Sequence, residues 1–187
     1  MIKLKHLLVL FRHLTIRTVE KGEVFIRKGE TKKQLFFVRR GMVRSYHVSE
    51  QSEDITFQLF PEYHIFGNLH SIVFDKPSEF YYEAIEPTKV YTIDYDDFFD
   101  MFLKNPNVSV INKTYVTKRV FNQAFNRVQG FVFLSPEERY QKYVKDFPNV
   151  VGRAPDKYIA HVLGITPVSL SRIRSRIATK VSGAKVK

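Results

Sequence analysis

Tyr158-Ile-Ala-His-Val-Leu-Gly164-Ile-Thr-Pro-Val-Ser-Leu-Ser-Arg-Ile-Arg-Ser-Arg-Ile177 is the stretch that decides how this chain is read. Two short helical patterns meet at a glycine, and the second carries three arginines. Tyr158, Ile159, Val162 and Leu163 form one apolar stripe. Gly164 follows and can take the left-handed conformation of a tight turn. Thr166 is placed to cap the second helix, with Pro167 in its first turn. Leu170, Ile173 and Ile177 then repeat at i, i+3, i+7 and face a small core, which turns Val168, Ser169, Arg172 and Arg176 to the opposite side. This is the pattern of a helix-turn-helix, whose second helix enters the major groove of duplex DNA.

Roles follow from side-chain chemistry. Arg172 is the first candidate for a bidentate contact to guanine edges. Ser169 suits a base or a phosphate, and Val168 can pack on a thymine methyl. Arg176 lies one turn on and suits a base or a phosphate. Arg174 sits nearer the core side, where a phosphate or an internal carboxylate fits it better. Lys180 and the basic tail add non-specific attraction.

Charge places the same preference. The net charge is +11. Cations and carboxylates balance over residues 1–106, so the whole excess lies in 107–187. A neutral half joined to a basic half suggests a scaffold or sensor beside a polyanion-binding part. The chain has no cysteine, which excludes disulfides, thiolate metal sites and cysteine nucleophiles. Leu7-Leu-Val-Leu-Phe11 is followed by Arg12 and His13 rather than a cleavage site. No apolar run reaches membrane-spanning length. A cytoplasmic protein with no membrane partner is expected.

Upstream, the runs 16–19, 24–26, 35–38, 43–48, 55–60, 81–85 and 89–93 are short and β-prone, with glycine or proline between them. No helix-length pattern separates them, so the expectation is a sandwich, barrel or jelly roll. Residues 1–13 read as a leading helix. Asp94 is a cap candidate for a helix carrying Phe98-Phe99 and Met101-Phe102. A long helix is expected from about Val108 to Phe133, its apolar positions covering a wide face that suits pairing with a second copy. Ser135-Pro-Glu-Glu138 has the form of a capping box and starts a further helix that Pro148 stops. The domains expected are a β-barrel sensor over 1–106, a dimerisation and linker helix over 107–133, and a helix-turn-helix domain over 134–187.

In that order the chain resembles the Crp/Fnr family of bacterial transcription regulators. The resemblance rests on Lys21-Gly-Glu23, Arg27-Lys-Gly-Glu30, Leu35-Phe-Phe-Val-Arg-Arg-Gly41 and Phe66-Gly-Asn-Leu69 in the first half. In the second half it rests on Ser135-Pro-Glu-Glu-Arg139, Ile159-Ala-His-Val-Leu-Gly164 and Leu170-Ser-Arg172. The Leu163-Gly-Ile-Thr-Pro167 form resembles the branch common in Bacteroidetes. The resemblance implies an α+β architecture: a double-stranded β-helix (jelly-roll) like cyclic-nucleotide-binding domains, a long dimerisation helix and a winged helix-turn-helix. It implies a homodimer, double-stranded DNA and RNA polymerase as partners, and a small-molecule effector in a pocket at Phe66, Gly67, Asn68, Leu69, Ser78 and Glu79.

The departures matter as much. Members that bind cyclic AMP have a glutamate where Asn68 stands and an arginine at the position of Ser78, followed by a hydroxyl residue where Glu79 stands. Lys76 is nearby but off register. A cyclic phosphate needs a cation or convergent donors, so weak cyclic AMP binding, an unidentified effector or none, and no resident cofactor are expected. Pro167 and Val168 also replace the arginine and glutamate of the best-known recognition helix.

Two other classes compete. A cupin-type enzyme would need a metal set, and of His6, His13, His47, His64, His70 and His161 only His64 and His70 could share a barrel. That spacing is not a metal signature, so no metal site and no enzymatic activity are expected. An RNA- or protein-binding module would use the basic half but lacks aromatic platforms.

Overall fold

The computed structural model describes residues 13–103, 121–122 and 124–184, with side chains described outside 101–103 and 181–184. The expected leading helix over 1–13 lies outside them except for His13, and so does the long helix before residue 121.

Eight strands form two four-stranded antiparallel sheets. They are β1 (Thr15–Val19), β2 (Val24–Ile26), β3 (Gln34–Arg40), β4 (Val43–Val48), β5 (Asp54–Phe60), β6 (Ile65–Gly67), β7 (Tyr81–Ala84) and β8 (Thr88–Asp94). The orders β1-β8-β3-β6 and β2-β7-β4-β5 make a jelly roll. Alternation along each strand turns one face inward. Val19, Phe36, Val38, Val43, Phe60, Val90 and Tyr82 fill the space between the sheets. Phe66 stacks there on Phe36, Phe60 and Tyr82, with centroids 4.8–5.6 Å apart.

A short helix α1 (Leu69–Phe74) lies between β6 and β7, where no helix was expected. Asn68 caps it, its side chain accepting from the Ser71 amide. Helix α2 (Tyr95–Leu103) follows β8 directly. The Asp94 carboxylate accepts from the Gln34 side chain.

The second half is helical: α3 (124–133), α4 (Pro136–Asp146), α5 (Asp156–Leu163) and α6 (Pro167–Ala184). The capping box is formed. Ser135 Oγ accepts from the Glu138 amide, and Glu138 accepts from the Ser135 amide at 2.8 Å. Helix α3 continues past Gly130 to residue 133. Among the described residues no strand follows β8. The strands of a wing are therefore not formed there: turns at 148–153 join α4 to α5, and α6 runs on as helix.

The two halves share one core. Met42, Leu59 and Ile85 on the outside of the barrel join Tyr140, Tyr143, Val150, Ile159, Leu163, Leu170 and Ile173 in one buried cluster. Polar contacts reinforce it. Arg153 donates to both oxygens of Glu62 at 2.8 and 2.9 Å and also reaches Glu86. His161 joins α5 to the barrel. Its Nδ1 accepts from the amide of Thr56 on edge strand β5 at 3.2 Å, and burial lowers its pKa.

The Arg153 pair makes stability depend on acid. Hydrogen bonds from Arg153, aided by the Gly41 amide, lower the Glu62 carboxyl to about 2 from an ordinary 4.5. A depressed carboxylate pKa stabilises the fold fully above the unfolded value, and the gain disappears as pH falls through the folded one. Discounted for solvent around Arg153, that gain is about 1–2 kcal/mol at neutral pH. Thermal melts of Glu62→Gln should therefore fall below those of the native protein at pH 7 and converge with them towards pH 2. A constant offset at every pH would contradict this.

Candidate nucleic-acid interface

The helix-turn-helix is built as its local sequence dictates. Gly164 has φ +65° and ψ 38°, and its amide donates back to Ala160 and His161 carbonyls. The Ile165 amide also returns to Ala160 O at 3.0 Å, which closes the turn. A Cβ at Gly164 would lie 2.6 Å from the ring of Phe131, so the position requires glycine for its backbone and its space alike. Thr166 Oγ1 accepts from the Ser169 amide at 3.1 Å and caps α6. Arg139 bridges the Leu163 and Leu134 carbonyls, tying the end of α5 to the start of α4. The signal for Arg139 was its place at the end of the Ser135-Pro-Glu-Glu-Arg139 motif.

Leu170 and Ile173 are buried and Ile177 packs against the same core, as the spacing predicts. Val168 and Arg172 lie exposed on the other side. Arg172 has no ion pair among the described residues. Ser169 is half-buried, with Oγ 2.9 Å from Thr166 Oγ1. Arg176 and Lys180 are exposed and share Glu137, at 3.6 and 2.7 Å. Such solvated pairs hold weakly and can exchange for phosphate.

Arg174 is spent internally. It donates to both oxygens of Asp156 at 2.7 Å and to the Tyr140 hydroxyl at 3.0 Å, fastening α6 to α5 and α4. The internal acidic partner is thus the role the structure gives it, and a DNA contact is not supported. Val168, Ser169, Arg172, Arg176 and Lys180 remain the candidate reading surface, while Thr166 acts as its cap.

Four of the six residues of the expected effector pocket, Phe66, Gly67, Asn68 and Ser78, have structural duties. Phe66 belongs to the aromatic core. A Cβ at Gly67 would sit 2.6 Å from Gln34 O, and its carbonyl accepts from Tyr82 Oη. Asn68 is buried and donates to Glu30 O and to Ser71 Oγ. Leu69 is exposed. Ser78 is buried, its hydroxyl donating to Phe80 O at 2.8 Å. Glu79 is exposed and lies 3.9 Å from His70 Nδ1. The side chains of Asn68 and Ser78 are therefore engaged in holding the loop, while the Glu79 carboxylate stays exposed. Among the described residues no group of three or more metal-binding side chains is present. No described helix is long and apolar enough to cross a membrane.

Comparison with known proteins agrees with this geometry. Residues 16–105 match the family of the cyclic nucleotide-binding domain. The global nitrogen regulator of Nostoc sp. is 24% identical over 106 residues, 56% of this chain, and the match spans about half of that protein's length (48%). FixK2 from Bradyrhizobium japonicum superposes with a TM-score of 0.70 at 21% identity, over 89% of this chain and 85% of that one. The c-di-GMP-responsive global regulator CLP of Xanthomonas campestris gives a TM-score of 0.68 at 13% identity, over 95% and 93%. The chain thus shares the fold of these solved structures: its jelly roll matches the cyclic nucleotide-binding domain, and its helices superpose beyond it.

Proposed function

We propose that this protein is a sequence-specific, duplex-DNA-binding transcription regulator that acts as a homodimer in the cytoplasm and is not an enzyme. The observation that carries this reading is Arg172, exposed and without a carboxylate partner among the described residues, on a helix whose cap, turn and core all hold it outward. The basic half of the chain supplies the non-specific attraction such a reader needs. The Leu163-Gly-Ile-Thr-Pro167 form supports the Bacteroidetes-type branch, and RNA polymerase is the partner a regulator of this architecture would engage.

Dimerisation is supported by α3 and the residues before it. Phe121, Phe125, Val128 and Val132 are 62, 49, 60 and 67% exposed. Their spacing of four, three and four is that of a coiled-coil seam; Phe131 and Phe133 are exposed on the same helix, and the apolar positions expected before residue 121 lie outside the described residues. An apolar stripe of this kind is costly in water and is buried by a second copy. A dimer would present two copies of α6 to half-sites about one DNA turn apart. Selection from a random duplex library should therefore enrich a palindrome with that spacing. Enrichment of no sequence, or tighter binding of structured RNA than of duplex DNA at the same salt, would refute the reading.

The effector is not cyclic AMP on this view. Asn68 and Ser78 offer no cation, and their donors are already engaged. Calorimetric titration with cyclic AMP should show no specific binding up to about 1 mM, a limit near −4 kcal/mol. Specific micromolar binding would overturn this.

A further inference from the structure

A cavity of about 460 Å³ lies between the barrel and the helices, bounded by Leu59, Arg127, Phe131, Arg139, Tyr143 and Leu163 among others. Its volume is that of a small-molecule site. Its charges are unbalanced. Other arginines that join elements have carboxylates: Arg44 has Glu83 and Asp54, Arg153 has Glu62 and Glu86, and Arg174 has Asp156. Arg127 and Arg139 have none among the described residues. Arg127 lies 4.2 Å over the Phe57 ring and donates to the Phe57 carbonyl. Arg139 lies 5.0 Å over Phe131 and donates only to carbonyls. The one carboxylate on the cavity wall, Asp146, is held by Lys142 at 2.9 Å.

A guanidinium partly removed from water without a counter-charge is costly. Burial accordingly lowers the Arg127 pKa. Two such groups on one cavity, with phenylalanine, tyrosine and leucine walls, define what would complete it. We propose that this cavity is a binding site for a small organic acid with an aromatic or branched apolar body, its carboxylate paired with Arg127 and its body against Phe131 and Tyr143. The site touches the barrel, α3, α4 and α5, so an occupant would fix their relative placement. Control of DNA reading through it rests on the function proposed above, whereas ligand binding does not.

The test uses 2-naphthoate and its neutral analogue 2-naphthamide, titrated into the full chain without DNA and followed by calorimetry and amide NMR shifts. The acid should bind at sub-millimolar concentration and at least about tenfold tighter than the amide, as a charge-assisted pair requires. Arg127→Gln should lose that preference, and Arg127→Lys should keep part of it, with far-UV circular dichroism confirming the fold of each. No binding of the acid, equal affinity for acid and amide, or an unchanged preference in Arg127→Gln would overturn the proposal. Arg172→Ala should bind 2-naphthoate like the native chain. A protein that selects no duplex yet passes this test would sink the DNA reading and leave the site standing.

Discussion

Arg172→Ala should lower affinity for a selected operator about ten- to a hundredfold per half-site while changing affinity for scrambled duplex by less than about threefold. A bidentate arginine–guanine contact discriminates by about 1–3 kcal/mol, and each half-site of a dimer would lose it. A phosphate contact would instead weaken both duplexes alike and reduce the salt dependence by about one unit. The measurement is therefore a pair of titrations, operator and scrambled, at several salt concentrations. Equal small losses on both would show that Arg172 does not read bases. Arg174→Ala is the informative control, because its guanidinium is committed to Asp156 and Tyr140. It should lower the melting temperature, and its effect on DNA should follow from the loosened helix and be shared by both duplexes. Arg176→Ala should behave as a phosphate contact, since its pairing with Glu137 is long and exposed.

The difference between Arg172 and Arg174 was visible before the structure, because helical spacing alone turns residue 174 towards the core. The same holds for the other features written in consecutive residues. Ser135 with Glu138, Gly164 at the turn and Thr166 before α6 are local devices whose partners lie within four residues. The strands were legible because β-prone runs alternate with glycine and proline. What escaped depends on partners far away in sequence. Arg153 and Glu62 are 91 residues apart, and His161 and Thr56 are 105 apart. Nothing in either neighbourhood announces the other. Helix α1 was missed for another reason: Asn68 was read as a member of a ligand pocket, which hid its local role as a cap. Of the residues read as an effector pocket, only the fold shows that Asn68 and Ser78 are buried and satisfied by nearby carbonyls and hydroxyls. Arg127 gave no signal at all, as an arginine within a long helix reads as a solvated charge.

Ile159→Ala should destabilise the whole described protein, by about 2–5 kcal/mol. Ile159 is fully buried on α5, in the cluster that also holds Met42, Leu59 and Ile85 of the barrel. Had the reader been an independent unit, the cavity left by truncation would loosen only α4 to α6. The shared core makes the consequence wider. The lost contacts lie at the joint, and β5 is an edge strand whose Thr56 amide relies on His161 of the same helix. Urea unfolding followed by circular dichroism, and by amide signals from β5 and α6, should give one transition at a lower midpoint for all probes. Separate transitions, with β5 unchanged while α6 unfolds, would show two independent domains and defeat the argument. The outcome bears on regulation as well as stability. A reader that shares its core with the barrel is already coupled to it, so a small displacement of β5 must be paid for in the packing of α5. Any ligand that shifts β5 or α3 would then reach α6 through Ile159 and Leu163 without needing a flexible hinge between them.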